Sequence, residues 1–121
     1  MAETGADRDG GRPANLELLL LGVLAREPLH GYAIIANLRQ LSGGLFDLNE
    51  GSVYPALHRL ERTGMVEGAW SEVQGRRRRV YRLTRKGRRS LAAGRSGWQR
   101  TAEAVRAVLA LPPSRAPRRP T

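Results

Sequence analysis

Arginine dominates the chemistry available to this chain. Four stand consecutively at Arg76, Arg77, Arg78 and Arg79, with Arg82, Arg85, Lys86, Arg88 and Arg89 close behind. Like charges so crowded repel one another and gain little from folding, so a polyanion is their natural complement, a disordered basic loop being the plainer alternative. A second set lies on one face of an expected helix. With Val53, Leu57 and Leu60 turned inward at i, i+4 and i+7, the opposite face collects Ser52, Pro55, His58, Arg59 and Arg62, and Tyr54 sits at its border. Hydroxyl, imidazole and guanidinium groups can hydrogen-bond phosphates and base edges, as a helix lying in the DNA major groove must. An ordinary solvated face is the plainer alternative here. A third set, Leu91, Trp98 and Val105, recurs every seven residues, with Ala102 and Leu109 four residues after two of them. That is a narrow apolar seam of the kind two helices share, and it points to a dimer interface. Gly94 and Gly97 leave space around Trp98, so its ring is open between packing and stacking on a flat ligand.

Other chemistries find little support. The two histidines, His30 and His58, fall on different expected helices, and His30 sits at a helix start where it can cap. No metalloprotease, phosphate-loop or serine-nucleophile motif is present. No catalytic residue, metal site or cofactor is therefore expected. The chain lacks cysteine, which removes disulfides and thiolate chemistry together. Its apolar runs, such as Leu18 to Leu21, are far too short to cross a bilayer, and the acidic start (Glu3, Asp7, Asp9) is unlike a secretory signal. Cytoplasm, with no membrane partner, is the expectation.

These residues must be positioned by a chain of 121 residues, long enough for one ordinary domain. Lys+Arg number 21 against 11 Asp+Glu, a net charge of +10, and all but Lys86 of the basic residues are arginine. Arginine's rigid fork suits phosphate and guanine, although a GC-rich genome produces the same bias. Residues 1–14 read as a disordered lead-in and residues 112–121 as a flexible basic tail. Between them the spacing predicts a helix that starts after Asn15 as its N-cap and runs to about Arg26, a second from about His30 to Leu41 and a third from about Glu50 to Thr63, with Gly64 as terminator. Strands at Met65 to Val73 and Arg79 to Leu83 come next, joined by a loop at Gln74 to Arg78. Thr84 then caps a last helix over Arg85 to Leu111. Three helices and a hairpin make a winged helix-turn-helix over 15–84, followed by a dimerisation helix over 85–111. The fold class is mainly α with a small β-hairpin.

Three segments match a known family in order and spacing: PLHGY at Pro28 to Tyr32, EGSVYPALHRLE at Glu50 to Glu61, and YRLTRKG at Tyr81 to Gly87. Together the region from about Leu18 to Leu109 closely resembles the PadR family of bacterial transcriptional regulators, in its short subgroup with one helix after the wing. The resemblance implies a homodimer that binds double-stranded DNA at an inverted repeat and represses a nearby gene. It implies that Ser52, Tyr54, Pro55, His58 and Arg59 lie in the DNA-contacting stretch. Trp98 resembles the aromatic residue that stacks flat drugs across the dimer interface in drug-responsive members. The arginine run is heavier than the family's norm, which leaves an anionic small-molecule effector open beside an aromatic one. A rival of another class is a winged-helix module that binds a protein partner, the basic wing serving only solubility. Steep salt dependence of binding separates DNA from an apolar partner interface.

Overall fold

A computed structural model describes residues 15–113. The expected lead-in, and all of the expected basic tail but Pro112 and Pro113, lie outside them. Among the described residues seven elements run in order: α1 (Leu16–Leu24), β1 (Leu29–His30), α2 (Gly31–Leu41), α3 (Glu50–Arg62), β2 (Val66–Val73), β3 (Arg76–Leu83) and α4 (Arg85–Val108). The chain divides into two compact units within α4, between Leu91 and Ala92.

The first unit is the winged helix. α1 is apolar almost all round and buries Leu16, Leu20, Leu21, Val23 and Leu24. It ends at Leu24 rather than Arg26, and Asn15 stands at its N-cap without a side-chain hydrogen bond. α2 contributes Ile34 and Leu38 to the core, and α3 contributes Val53, Ala56, Leu57 and Leu60. Both begin with working caps. The Ala33 amide donates to His30 Nδ1 at 3.4 Å, and the Ser52 amide donates to Asn49 Oδ1 at 3.0 Å.

The sheet departs from expectation twice. It has three antiparallel strands in the order β1–β3–β2, with Leu29 opposite Tyr81 and His30 opposite Val80. β1 is two residues long, too short for any periodicity, and exists only because β3 offers an edge to pair with. The second departure concerns the wing. β3 starts at Arg76, so the ladder closes Val73 against Arg76 and the turn is only Gln74 and Gly75. Both turn residues have positive φ, 53° and 77°. That is the two-residue turn whose twist matches the strands, and glycine at its second place adopts it without strain. The arginine run is therefore strand, not loop.

Tyr81 and Leu83 of β3 and Val66 of β2 close the core beneath the helices. The junction to α4 is held by Thr84: its hydroxyl donates to the Gly64 carbonyl at 2.6 Å and accepts from the Gly87 amide at 3.0 Å. Lys86 Nζ donates to the Thr63 carbonyl at 2.8 Å, placing the chain's one lysine at the negative end of α3. Thr84 and Lys86 of the YRLTRKG segment thus anchor the wing's exit to the end of the third helix. Leu91, expected in the seam, lies instead in the core of this first unit at 4% exposure. Its seven-residue spacing from Trp98 is real, but packing within its own chain covers it.

The second unit is the remainder of α4 with the turn beyond it. The helix ends at Val108, three residues before the expected Leu111, and the chain turns at Leu109 and Ala110. Arg106 holds that turn, accepting the Leu111 amide on its carbonyl at 2.8 Å and donating Nη1 to the Pro112 carbonyl at 3.0 Å. Among the described residues, no helix is long and apolar enough to cross a membrane.

Candidate nucleic-acid interface

α3 presents the face that its spacing predicts. Pro55, His58 and Arg62 are exposed, with Ser52 and Arg59 half-buried at one edge and Tyr54 half-buried at the other. The two edges are held differently. On the edge toward α1, Arg59 Nε donates to Glu17 Oε2 at 2.7 Å. The side chains of that pair are 36% and 41% exposed, so the ion pair adds only about 0.2–1 kcal/mol to folding.

On the other edge, Tyr54 lies over Gly31, where a Cβ would collide with its ring and hydroxyl. This close approach accounts for glycine in the PLHGY segment. Tyr32 meets Tyr54 edge-on, ring centres 6.5 Å apart and planes at 82°. A hydrogen bond to the Glu50 carboxylate pushes the Tyr32 phenol above its ordinary value, and burial, aided by Glu50, does the same for Tyr54. Both phenols thus keep their protons at neutral pH and present O–H groups.

The wing sorts its four arginines by strand alternation. Ladder pairs Trp70–Arg79 and Glu72–Arg77 put Arg77 and Arg79 on one face, while Arg76 and Arg78 fall on the other. On the first face Trp70, 57% exposed, is flanked by Arg77 at 5.1 Å and Arg79 at 5.9 Å from its ring centre. Arg79 is also paired with Glu61 at the end of α3, a carboxylate hydrogen bond that raises its already high pKa. Arg79 therefore braces the wing against the third helix. On the second face Arg78 lies over the Tyr32 ring at 5.5 Å and Arg76 is exposed. His30 stands near Arg78, and burial together with that neighbouring charge holds its imidazole below its usual pKa.

The structure thus brings Tyr54 and Arg78 together through Tyr32 and ties Arg79 to α3, so wing and third helix form one surface. Sequence reasoning missed Glu17, Tyr32, Glu50, Glu61 and Trp70. Trp70 had a usable signal, since a two-residue turn at Gln74–Gly75 sets it opposite Arg79. Glu17 had none, lying 42 residues from its partner. Among the described residues no cluster of three metal-ligating side chains occurs.

The other seam residues, all in the second unit, are exposed or partly exposed. Trp98 is 55% exposed and Val105 47%; Leu109 is exposed beyond the helix end and Ala102 is half-buried.

Comparison with known proteins gives the family. Residues 20–93 match the transcriptional regulator PadR-like family. The transcriptional regulator Rv3488 of Mycobacterium tuberculosis is 35% identical over 92 residues, covering 76% of this chain and 83% of that protein. A PadR family transcriptional regulator from Eggerthella lenta superposes with a TM-score of 0.68 at 30% identity, over 78% of this chain and 80% of its own. A PadR-like transcriptional regulator from Bacillus cereus superposes at 0.70 with 28% identity, over 78% and 90%. The winged helix and its basic surface are thus those of a regulator rather than an enzyme, and this chain belongs to the PadR-like family of transcriptional regulators.

Proposed function

We propose that the protein is a cytoplasmic, homodimeric repressor that binds double-stranded DNA at an inverted repeat and answers to a small-molecule effector near the dimer interface. The observation that carries the DNA reading is the single surface made by α3 and the wing. His58, Arg59 and Arg62 lie on the helix, and Arg76 and Arg78 share one face of β3, where Arg78 lies over Tyr32 and near Tyr54 of that helix. Base edges would be read by Ser52, Tyr54, Pro55, His58, Arg59 and Arg62, while the wing arginines follow phosphates. The dimer reading rests on the exposed apolar residues Trp98, Val105 and Leu109. Two α4 segments that cover them would set two reading heads on half-sites about one helical turn apart. An effector, aromatic or anionic, that stacks on or beside Trp98 would favour one spacing of those heads and so shift DNA affinity through population linkage.

Fluorescence anisotropy against duplexes selected from a random pool tests the DNA reading. The expected result is a preferred inverted repeat whose affinity falls steeply with salt. Absence of any preference over random duplex at moderate salt would overturn it. Arg76→Ala should weaken all duplexes alike and flatten the log–log salt slope by roughly 0.9, the signature of one lost phosphate contact.

A further inference from the structure

We infer that Glu17 on α1 is a specificity-positioning residue: it holds Arg59 so that the guanidinium presents its two terminal nitrogens, in one orientation, to a guanine edge in the major groove. This rests on the DNA-binding reading above.

An arginine side chain offers two hydrogen-bonding edges, one through Nε and the other through the terminal pair. In this protein the first is engaged. Nε donates to Glu17 Oε2 at 2.7 Å, while Nη1 and Nη2 make no hydrogen bond among the described residues. A guanine presents O6 and N7 as two acceptors side by side, and only an arginine whose plane is fixed meets both at once. A phosphate contact needs no such fixing, because charge alone gives most of its affinity at many orientations. The pair is also half-exposed, so stabilising the fold is a minor part of what it does. Placing an acid beside a surface meant for a polyanion works against general affinity. That cost is offset only if the acid improves discrimination, since a carboxylate that repels every duplex equally still orients the fork for one. Glu17 lies on the helix behind the third helix, at the edge where Arg59 is half-buried, and it need not touch DNA to act.

The test uses the full chain and two duplexes, the preferred one that the wild-type protein selects and a random one, with Glu17→Ala, Glu17→Gln, Arg59→Ala and Glu17→Ala/Arg59→Ala. Glutamine keeps an oxygen acceptor for Nε but removes the charge. Glu17→Ala should lower the ratio of preferred to random affinity by about tenfold, the discrimination that one bidentate pair supplies. The same substitution should leave random-duplex binding unchanged or tighter. Glu17→Gln should retain most of the ratio, and the double variant should lose no more than Arg59→Ala alone. Melting curves of all variants should superpose closely. The inference is overturned if Glu17→Ala and Glu17→Gln both tighten every duplex equally, which is a simple charge effect, or if Glu17→Ala leaves the ratio intact. A wild-type protein with no preference would instead remove the DNA-binding reading itself, and this inference with it.

Discussion

Residue by residue, the protein uses its arginines in different ways. Arg77 and Arg79 lie against Trp70, Arg78 lies over Tyr32, Arg59 is gripped by Glu17, and Arg62 and Arg76 stand exposed. An equal row of charges in the primary structure is thus a graded set, from bracing struts to exposed contacts. Gly31 shows how little tolerance surrounds the site. A methyl group there would occupy the space of the Tyr54 ring. Gly31→Ala should lower stability by about 1–3 kcal/mol, an overpacking cost. Thermal or urea denaturation measures it. In a Tyr54→Ala background the same substitution should cost much less, because the colliding ring is gone; equal cost in both backgrounds would show that the crowding lies elsewhere.

Among the elements, α2 depends on an unusual cap. His30 closes β1 and opens α2, accepting the Ala33 amide on Nδ1. Only the neutral imidazole can accept there, and burial and Arg78 lower its pKa from the ordinary 6.5. The unfolded chain therefore binds the proton first. Stability from this group is intact above about pH 6.5 and is lost as pH falls from there through the lower folded value. Denaturant midpoints measured between about pH 8 and about pH 5 should decline toward acid. His30→Asn, which caps without titrating, should flatten that decline. An unchanged slope would mean that other groups carry it. The hairpin illustrates a different dependence. Its register was legible only in part, because the arginine run gives no hydrophobic alternation and charge alone does not say whether a segment is loop or ladder.

For the whole molecule, the proposed dimer rests on a surface that a single chain leaves open. Trp98, Val105 and Leu109 are exposed apolar residues with water as their neighbour unless another chain covers them. Val105→Asp should convert a dimer into monomers by light scattering. The variant should also weaken inverted-repeat binding by at least about tenfold, while a single half-site is bound about as well as before. A wild-type protein that is already monomeric at micromolar concentration would defeat the dimer reading and leave the head's DNA binding untouched.

By itself the amino-acid sequence determined the three helices of the head, the hairpin after them and the polar face of the third helix. Those properties arise from neighbours three or four residues apart and from local caps, so they are written where they act. Asn49, Gly64 and Thr84 mark their ends within a residue or two. Tertiary structure alone decided what each of those groups faces. β1 exists because β3 has an open edge, Leu91 is core because the first unit folds over it, and Arg59 is oriented because α1 brings Glu17 to it across 42 residues. The physical reason is the same in each case. A period reports which side of an element is apolar, but the partner that meets that side is chosen by the packing of the whole chain, and so is the plane in which the Arg59 guanidinium is held.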